Sequence, residues 1–423
     1  MRTRLGREEE NEMASREHEI EAIVRRVSAN AVTRRRFLAA TGFTSMAAFI
    51  AACSSGGTPS AAPSAAASSQ PSAAPGSAEP SVAPAPSYAT EGSLFMFNWA
   101  DYVDPENLEE FKARDNIAEF TYDTYASNEE LLTRLQGGAT GLYDVGAPTA
   151  EFVPSMADQG FIEELDFSRI PNARLINPTF QNFFDPAGEQ GKYNAYHLPK
   201  DWGTTGIALR RKSVPEEVNT WKQFFEVAPK YSQRIVVVNS AGDVLTAPLK
   251  ALGYSLNSTD EKELGEAREL LRGLAPHVLA LDSDTYDAKL RTEEAVLGLT
   301  WTGGVVEMRD EEETKDTEYI VPEDGTLYWM DTWVIFKDPP HPEASYAFLN
   351  FIQEPEIQAK ETETNRYATP NDEAKALVAP EVLNDPTVFV PDEAFGRLEG
   401  AQDVSTHPLR VEIWEEFVAS VGN

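Results

Sequence analysis

Three segments of this chain place tryptophan beside acidic or small polar residues, and this combination could bind a cationic ligand. The segments are Trp99-Ala100-Asp101-Tyr102, Tyr328-Trp329-Met330-Asp331 and Trp301-Thr302-Gly303-Gly304. Aromatic faces attract cations and pack against methylene groups, and a carboxylate adds a charge-assisted hydrogen bond to an ammonium group. A site built from both residue types would suit a flexible chain of methylenes that carries charged amines. Packing of these tryptophans in a core or between lobes is the alternative that spacing leaves open.

Motifs for covalent catalysis or metal binding are weak in this sequence. It has neither a G-x-S-x-G nucleophile elbow nor an H-E-x-x-H zinc motif. Asp282, Asp284 and Glu293 have the spacing of a calcium loop, but Asp287 stands where the sharp turn needs glycine. The five histidines are scattered. We therefore predict no enzyme activity, no cofactor and no metal, with a lipid-anchored extracellular hydrolase as the weaker alternative.

The N-terminal region has the features of an export signal. The twin-arginine segment Thr33-Arg34-Arg35-Arg36-Phe37-Leu38 precedes a short apolar run that ends in Ile50-Ala51-Ala52-Cys53. The run is too short for a comfortable membrane span, and Cys53 is the only cysteine, so it cannot form an internal disulfide. We predict removal of residues 1–52 and a lipid anchor on Cys53, outside the cytoplasm. A buried apolar helix with a chance cysteine is the alternative.

Composition predicts what precedes the folded part of the chain and which partners its charge would attract or repel. Most of residues 53–91 are Ser, Ala, Pro and Gly, which predicts a disordered linker because such a segment has little apolar surface to bury. The formal net charge is −33, which would repel nucleic acid and attract cations. Solubility alone could also explain this charge.

Alternating strand and helix signals follow the linker. The expected strands are 94–98, 117–122 and 143–147, with a helix that starts at Asp104-Pro105 and another at the capping box of Ser127 and Glu130. A second set begins near residue 203 and includes segments 207–209, 221–225, 235–238 and 296–301 and a helix over 244–252. The two sets predict two α/β lobes with a ligand cleft between them.

The segment Phe97-Asn98-Trp99-Ala100-Asp101-Tyr102-Val103 resembles the opening of the spermidine/putrescine-binding proteins of ABC importers. The likeness continues in order from about Leu94 to Phe417. Its further segments include Ser127-Asn128-Glu129, Pro148-Thr149, Leu198-Pro199, Trp202-Gly203-Thr204-Thr205-Gly206, Leu299-Thr300-Trp301, Tyr328-Trp329-Met330-Asp331 and Tyr367-Ala368-Thr369-Pro370-Asn371. Colinearity over this length is more specific than any one motif, and it favours the ligand-site interpretation of the tryptophans.

The resemblance implies a fold and a mode of action. The fold would be an α/β, two-lobed, type II periplasmic-binding-protein-like fold, in which each lobe is a mixed, mostly parallel sheet flanked by helices. We place lobe 1 at residues 92–203 with 331–376 and lobe 2 at 204–330 with 377–423. The lobes would close about a hinge on a polyamine, spermidine or putrescine, and the protein would then dock as a monomer on an ABC permease.

The resemblance also implies roles for individual residues. The aromatic residues would wall the methylene chain and face the ammonium groups; they are Trp99, Tyr102, Trp301, Trp329 and Tyr367. Asp331 would be the main anion. The other contacts would be the acids Asp101 and Asp243 and the hydroxyl residues Thr149 and Ser283.

Some positions depart from the family's pattern. Glu151, which we include among the ligand-binding residues, stands where spermidine binders carry an aromatic residue, and Ser240 replaces an acid. The preferred polyamine therefore stays open. Another cationic or polar solute, or a sensor that signals to a receptor, are the competing interpretations.

Overall fold

The computed structural model describes residues 87–182 and 191–422. The predicted export signal, Cys53 and most of the predicted linker lie outside the described residues. The strands are β1 Ser93–Asn98, β2 Glu119–Thr124, β3 Val145–Gly146, β4 Leu198–Arg210, β5 Ile235–Val237, β6 Val278–Leu281, β7 Leu297–Trp301, β8 Thr317–Ile320, β9 Thr326–Ile335 and β10 Leu398–Gly400.

Helices separate most of these strands. They are α1 Pro105–Arg114, α2 Asn128–Arg134, α3 Val153–Asp158, α4 Pro178–Gln181, α5 Trp221–Val227, α6 Ala241–Ala251, α7 Glu261–Leu274, α8 Tyr286–Arg291, α9 Thr302–Glu307, α10 Pro342–Phe351, α11 Pro355–Asn365, α12 Asp372–Lys375, α13 Pro380–Leu383, α14 Asp392–Phe395 and α15 Pro408–Ser420. None of the described helices has the length and apolar character needed to cross a membrane.

Capping residues in the sequence explain where helices α1 and α2 begin. The Asp104 carboxylate accepts hydrogen bonds from the backbone N–H groups of Glu106 and Asn107, as expected of an N-cap residue followed by proline. The Ser127 hydroxyl accepts from the Glu130 N–H at 3.2 Å, while the Glu130 carboxylate accepts from the N–H of Ala126. Both predicted caps are confirmed, although the reciprocal bond of the capping box is displaced by one residue.

The sheet is mixed and contains two parallel groups of strands. Its order is β2-β1-β3-β9-β4-β7-β5-β6, with β10 beside β9 and β8 beside β4. Strands β2, β1 and β3 are parallel to one another, as are β7, β5 and β6. The antiparallel pair of β4 and β9 lies between these groups. The predicted α/β architecture with a mixed sheet is confirmed.

Strand β4 connects the two parallel groups. Its residues 198–204 pair with β9, and its residues 205–210 pair with β7 and β8. All 13 residues of β4 are buried, so this strand is part of the interior along its full length. The lobe boundaries at 203/204 and 330/331 stay a prediction, and they lie close to the point where β4 changes partners.

Separate apolar clusters support the two groups of strands. Trp221, Phe224 and Leu297 belong to a large cluster around β5 and β7. On β1, Leu94 and Met96 belong to one cluster and Phe97 belongs to another, as expected because alternate side chains of a strand face opposite sides of a sheet. Buried apolar surface on both faces therefore fixes the position of β1, whose C-terminal end leads into the predicted site.

Candidate ligand-binding site

The centre of the site is a pair of buried aspartates on neighbouring strands. Asp201 of β4 and Asp331 of β9 are direct partners in the antiparallel register, and their exposed fractions are 4% and 6%. The Tyr102 hydroxyl oxygen lies 2.6 Å from Asp201 Oδ1 and 2.8 Å from Asp331 Oδ2. Thr149 forms an isolated backbone bridge with Asp331. The structure therefore brings together three predicted site residues and adds Asp201.

A buried lysine completes this centre. Lys200 is 1% exposed, and its Nζ atom lies 2.5 Å from Asp201 Oδ2. The same Nζ atom lies 3.5 Å from the centroid of the Tyr102 ring, a cation–π distance. Sequence reasoning did not assign Lys200 or Asp201 to the site. The available signal was the occurrence of two adjacent charged residues between the matching segments Leu198-Pro199 and Trp202-Gly203.

The electrostatic environment of Asp331 disfavours its ionised form. Burial, followed by the nearby Asp201 carboxylate, raises the pKa of Asp331 to about 7, against the lowering effects of the Tyr102 and Thr149 hydrogen bonds and of Lys200. A bound ammonium group would supply the positive charge that this carboxylate lacks.

A second group of acids lies around the start of α6. Asp243 is 7% exposed, and its Oδ1 atom accepts hydrogen bonds from the Thr205 hydroxyl and, at 3.1 Å, from the Trp301 indole N–H. Glu151 lies in the short turn 150–152, and its Oε1 atom is close enough to Gly242 to contact a side chain placed there. The third member is Glu129, which sequence reasoning did not assign to the site although it lies in the matching segment Ser127-Asn128-Glu129.

Burial raises the pKa values of all three acids, and repulsion from neighbouring carboxylates adds to this for Glu129 and Glu151. Burial raises the pKa of Asp243, and it does the same for Glu129, where the Asp243 carboxylate adds to the effect. The pKa of Glu151 is raised well above its usual range by burial first and then by the carboxylates of Asp243, Glu129 and Asp331. This concentration of acids, of which Asp243 is buried and Glu129 and Glu151 are partly exposed, makes the region suitable for a cation.

The five predicted aromatic residues form edge-to-face contacts. Tyr367 lies 4.8 Å from Trp329 and 6.0 Å from Tyr102 between ring centroids. Trp99 and Trp301 lie 6.1 Å apart with their planes at 72°, and the Trp99 indole N–H donates to the Ala147 carbonyl at 2.8 Å. Tyr102 and Trp329 are buried, whereas Trp99, Trp301 and Tyr367 are partly exposed. The last three could therefore meet a ligand directly.

The remaining predicted residues differ in how they are placed relative to the two groups of acids. Asp101 is exposed and its backbone has a left-handed φ of 51°. Ser283 is partly buried, and its hydroxyl accepts from the Asn239 backbone N–H at 3.0 Å. In the described part of the chain, neither residue hydrogen-bonds with Asp331 or Asp243. The Thr149 hydroxyl accepts from the Asn128 side-chain amide at 2.9 Å, which holds Thr149 beside Asp331.

The chemistry of this arrangement is that of binding a positively charged, partly apolar molecule. It offers carboxylates as hydrogen-bond acceptors and aromatic rings as cation–π and methylene contacts. Among residues 87–182 and 191–422, no group of three or more His, Cys, Asp or Glu side chains is arranged to hold a metal ion.

Comparison with known proteins identifies a family model, relatives and a solved structure that are similar to most of this chain. The family model for bacterial extracellular solute-binding proteins matches residues 106–390. The spermidine/putrescine-binding periplasmic proteins of Escherichia coli K12 and Salmonella typhimurium are 32% and 31% identical to this chain over 327 residues, which cover 77% of this chain and 90% of each relative. A solved structure of a spermidine/putrescine ABC transporter substrate-binding protein from Streptococcus pneumoniae is similar with a TM-score of 0.64 and 30% identity. That similarity covers 78% of this chain and 99% of the solved one.

Proposed function

Because the chain belongs to the bacterial extracellular solute-binding proteins, we propose that it captures a polyamine, spermidine or putrescine, and delivers it to an ABC importer permease. The names of its relatives support this ligand class. The predicted fold class, a two-lobed periplasmic-binding-protein-like α/β fold, is confirmed by the structural similarity.

The observation that carries the proposal is the uncompensated buried charge at the site. Asp331 and Asp243 are buried acids next to aromatic rings, and no ion pair within the described residues neutralises either of them. Glu151 is partly exposed, and the charge of Arg410 partly offsets its own. Lys200 is committed to Asp201. A buried carboxylate without a positive partner is costly, and the ammonium groups of a polyamine would remove that cost.

The two acid groups suit a ligand with more than one amine. Asp331 is held by Tyr102, and Asp243 is held by Trp301, so each acid group contacts a member of the aromatic set. An ammonium at each group would leave the intervening methylenes beside the rings. Glu151 adds negative charge close to Asp243 and would favour a second or third ammonium there.

Closure of the predicted lobes would bring these groups together around the ligand. Trp99 belongs to predicted lobe 1 and Trp301 to predicted lobe 2, and the edge-to-face contact of their rings joins the two lobes. Rotation where β4 changes partners would open and close this interface, which is a hinge motion. The closed form would then dock on the permease as a monomer, and no covalent chemistry is involved.

The protein acts outside the cytoplasm, as its periplasmic relatives do. In our proposal, the twin-arginine segment directs export, Cys53 carries a lipid anchor, and residues 53–91 form the spacer between the membrane and the binding domain. This part of the proposal rests on the sequence pattern of residues 33–53.

Tryptophan fluorescence tests the ligand class. The purified protein is titrated with spermidine, putrescine, spermine, arginine and maltose at low and high salt. Since Trp99, Trp301 and Trp329 lie at the site, we expect a saturable change with a polyamine. Association should be slower at high salt because the net charge of −33 attracts polycations. Saturation by arginine or maltose alone would assign another solute.

A further inference from the structure

The Tyr102 hydroxyl is shared by two carboxylates, although it has a single proton. Its oxygen lies 2.6 Å from Asp201 Oδ1 and 2.8 Å from Asp331 Oδ2. A phenol can donate one hydrogen bond at a time, and the second short oxygen–oxygen contact would be repulsive without a proton between its atoms. Burial raises the pKa of Tyr102 well above its usual range, so the hydroxyl keeps its proton. The cluster therefore needs one more proton when no ligand is bound.

Lys200 distinguishes the two carboxylates. Its ammonium lies 2.5 Å from Asp201 Oδ2 and stabilises the ionised form of Asp201. Within the described residues no lysine or arginine forms an ion pair with Asp331. The extra proton is therefore favoured on Asp331, from which it can be donated to the Tyr102 oxygen while the Tyr102 hydroxyl donates to Asp201.

We propose that the ligand-free protein carries a proton on Asp331, that Lys200 is the positioning residue which directs this proton there, and that amine capture exchanges it for an ammonium group of the ligand. In this exchange the O–H bond of the Asp331 carboxyl group breaks, the proton passes to solvent, and the carboxylate accepts a hydrogen bond from the ammonium. The inference rests on the proposed function, because it names how the same site receives its ligand.

The surroundings of Asp331 favour the protonated form overall. Burial and the Asp201 carboxylate raise its pKa to about 7, whereas the hydrogen bonds that an ionised Asp331 would accept from Tyr102 and Thr149 and the charge of Lys200 act in the opposite direction. The titratable and charged groups around Asp331 are Tyr102, Tyr125, Glu151, Lys200, Asp201 and Tyr367. Near neutral pH, the proton is therefore held weakly enough for an ammonium to displace it.

Infrared difference spectroscopy tests the location of the proton without any ligand. A protonated carboxyl group has a C=O stretching band that a carboxylate lacks. We expect the ligand-free protein to show such bands titrating near pH 7 from both Asp331 and Glu361, and Asp331→Asn should remove only the Asp331 component. A titration near pH 7 that persists unchanged in Asp331→Asn would overturn the inference.

Calorimetry tests the exchange. Putrescine and spermidine are titrated into the full-length protein at one pH in two buffers with different ionisation enthalpies, which gives the number of protons released. At pH 7 we expect Asp331 to contribute about half a proton per bound ligand, measured as the release that Asp331→Asn loses, and this contribution should fall towards zero at pH 9. Binding without proton release would overturn this inference and leave the proposed function intact. Absence of binding would contradict the proposed function, and the infrared titration would still decide where the proton lies.

Two variants test the role of Lys200. Because the charge of Lys200 lowers the pKa of Asp331, Lys200→Met should move the pH of half-maximal release upward. The double variant Lys200→Met/Asp201→Asn removes the competition for Tyr102 and keeps the pocket's net charge. It should reduce release at pH 7 about fivefold while binding persists. Because the double variant leaves no unpaired buried charge, its proton release can be measured even if Lys200→Met alone does not fold.

Lys250→Met is the matched control. Lys250 pairs with Glu399 at 3.1 Å and is not part of the site. It should leave proton release unchanged at every pH. If Lys250→Met and Lys200→Met gave the same release profile as the wild type, Lys200 would have no positioning role.

Discussion

At the scale of single residues, the proposed binding site depends most on Asp331. This side chain is buried and acidic, and it has no ionic partner in the described residues. Its carboxylate is held by Tyr102 and lies opposite Asp201. Direct contact with an ammonium would satisfy the charge, whereas loss of the carboxylate would leave that ammonium desolvated and unpaired. Specific affinity for amines should therefore depend on this side chain more than on any exposed acid.

Asp331→Asn should weaken polyamine binding about 100-fold, or roughly 3 kcal/mol, since it removes one charge from a buried ion pair. Asp338→Asn is the matched control, because Asp338 is exposed and its left-handed backbone tolerates asparagine. Dissociation constants from calorimetry measure both effects. Similar affinities for the two variants would remove Asp331 from the centre of the site.

Glu151→Gln should affect stability and binding in opposite directions. Burial and the carboxylates of Asp243, Glu129 and Asp331 disfavour its ionised form more than Arg410 favours it, so the neutral amide should raise the free energy of unfolding of the ligand-free protein at pH 8. Spermidine affinity should fall because an anion is lost. Denaturant unfolding and calorimetry provide the measurements, with the exposed Glu164→Gln as control. A loss of stability would contradict the assignment of Glu151 to a repulsive cluster.

Sequence reasoning assigned the aromatic residues, Asp331 and Asp243 to the predicted site from the resemblance to a known family. It did not assign Lys200 and Asp201, since their proximity to Tyr102 depends on the register of β4 against β9, which no local pattern encodes. Charged residues in a strand usually indicate exposure. Here, an ion pair and a tyrosine ring make burial of both possible.

At the scale of secondary-structure elements, the pair β4 and β9 positions the site. Gly203 lies opposite Trp329 in the register, and a side chain at 203 would approach the Trp329 ring to 2.5 Å. Glycine is therefore required at this position for the tryptophan to lie flat against β4. The aromatic wall depends on a backbone contact as well as on the ring itself.

Gly203→Ala should weaken polyamine binding about tenfold by displacing Trp329 from its contact with Tyr367. Gly265→Ala in α7 is the control, because a side chain there meets open space. It should raise the free energy of unfolding by about 0.5 to 1 kcal/mol through helix propensity without changing affinity. Equal affinity in both variants would show that the position of Trp329 does not matter for binding.

The short elements were predictable where capping residues or apolar runs mark them, as for α1, α2 and β1. The long strands β4 and β9 were not predicted as continuous strands. Strand β4 contains Pro199, Lys200, Asp201, Gly203 and Gly206, which are untypical of a buried strand. Its pairing with three other strands overrides these local preferences.

At the scale of the whole molecule, excess buried acid links stability to pH. Burial raises the pKa values of Asp331 and Glu361 to about 7, so between about pH 4 and 7 the folded protein binds more protons than the unfolded chain. Stability from these groups is fully present at low pH and is lost as pH rises through 7. His197 has the opposite effect on stability, because burial lowers its pKa from 6.5 to about 3. It therefore destabilises the folded protein only below about pH 6.5, where the unfolded chain binds a proton that the folded protein does not.

The ligand-free protein should therefore be more stable at pH 6.5 than at pH 8, by about 1.5 kcal/mol from Asp331 and Glu361 together. Denaturant unfolding at the two pH values measures this difference. Asp331→Asn should remove about half of it. Greater stability at pH 8 than at pH 6.5 would mean that these acids are ionised and compensated in the ligand-free protein.

The most direct test of polyamine capture is calorimetric titration of the purified wild-type protein with spermidine and putrescine. We predict tight one-to-one binding of at least one of them. Absence of binding to both, by a protein whose unfolding shows that it is folded, would contradict the proposal that the buried acids and aromatic rings form a polyamine site.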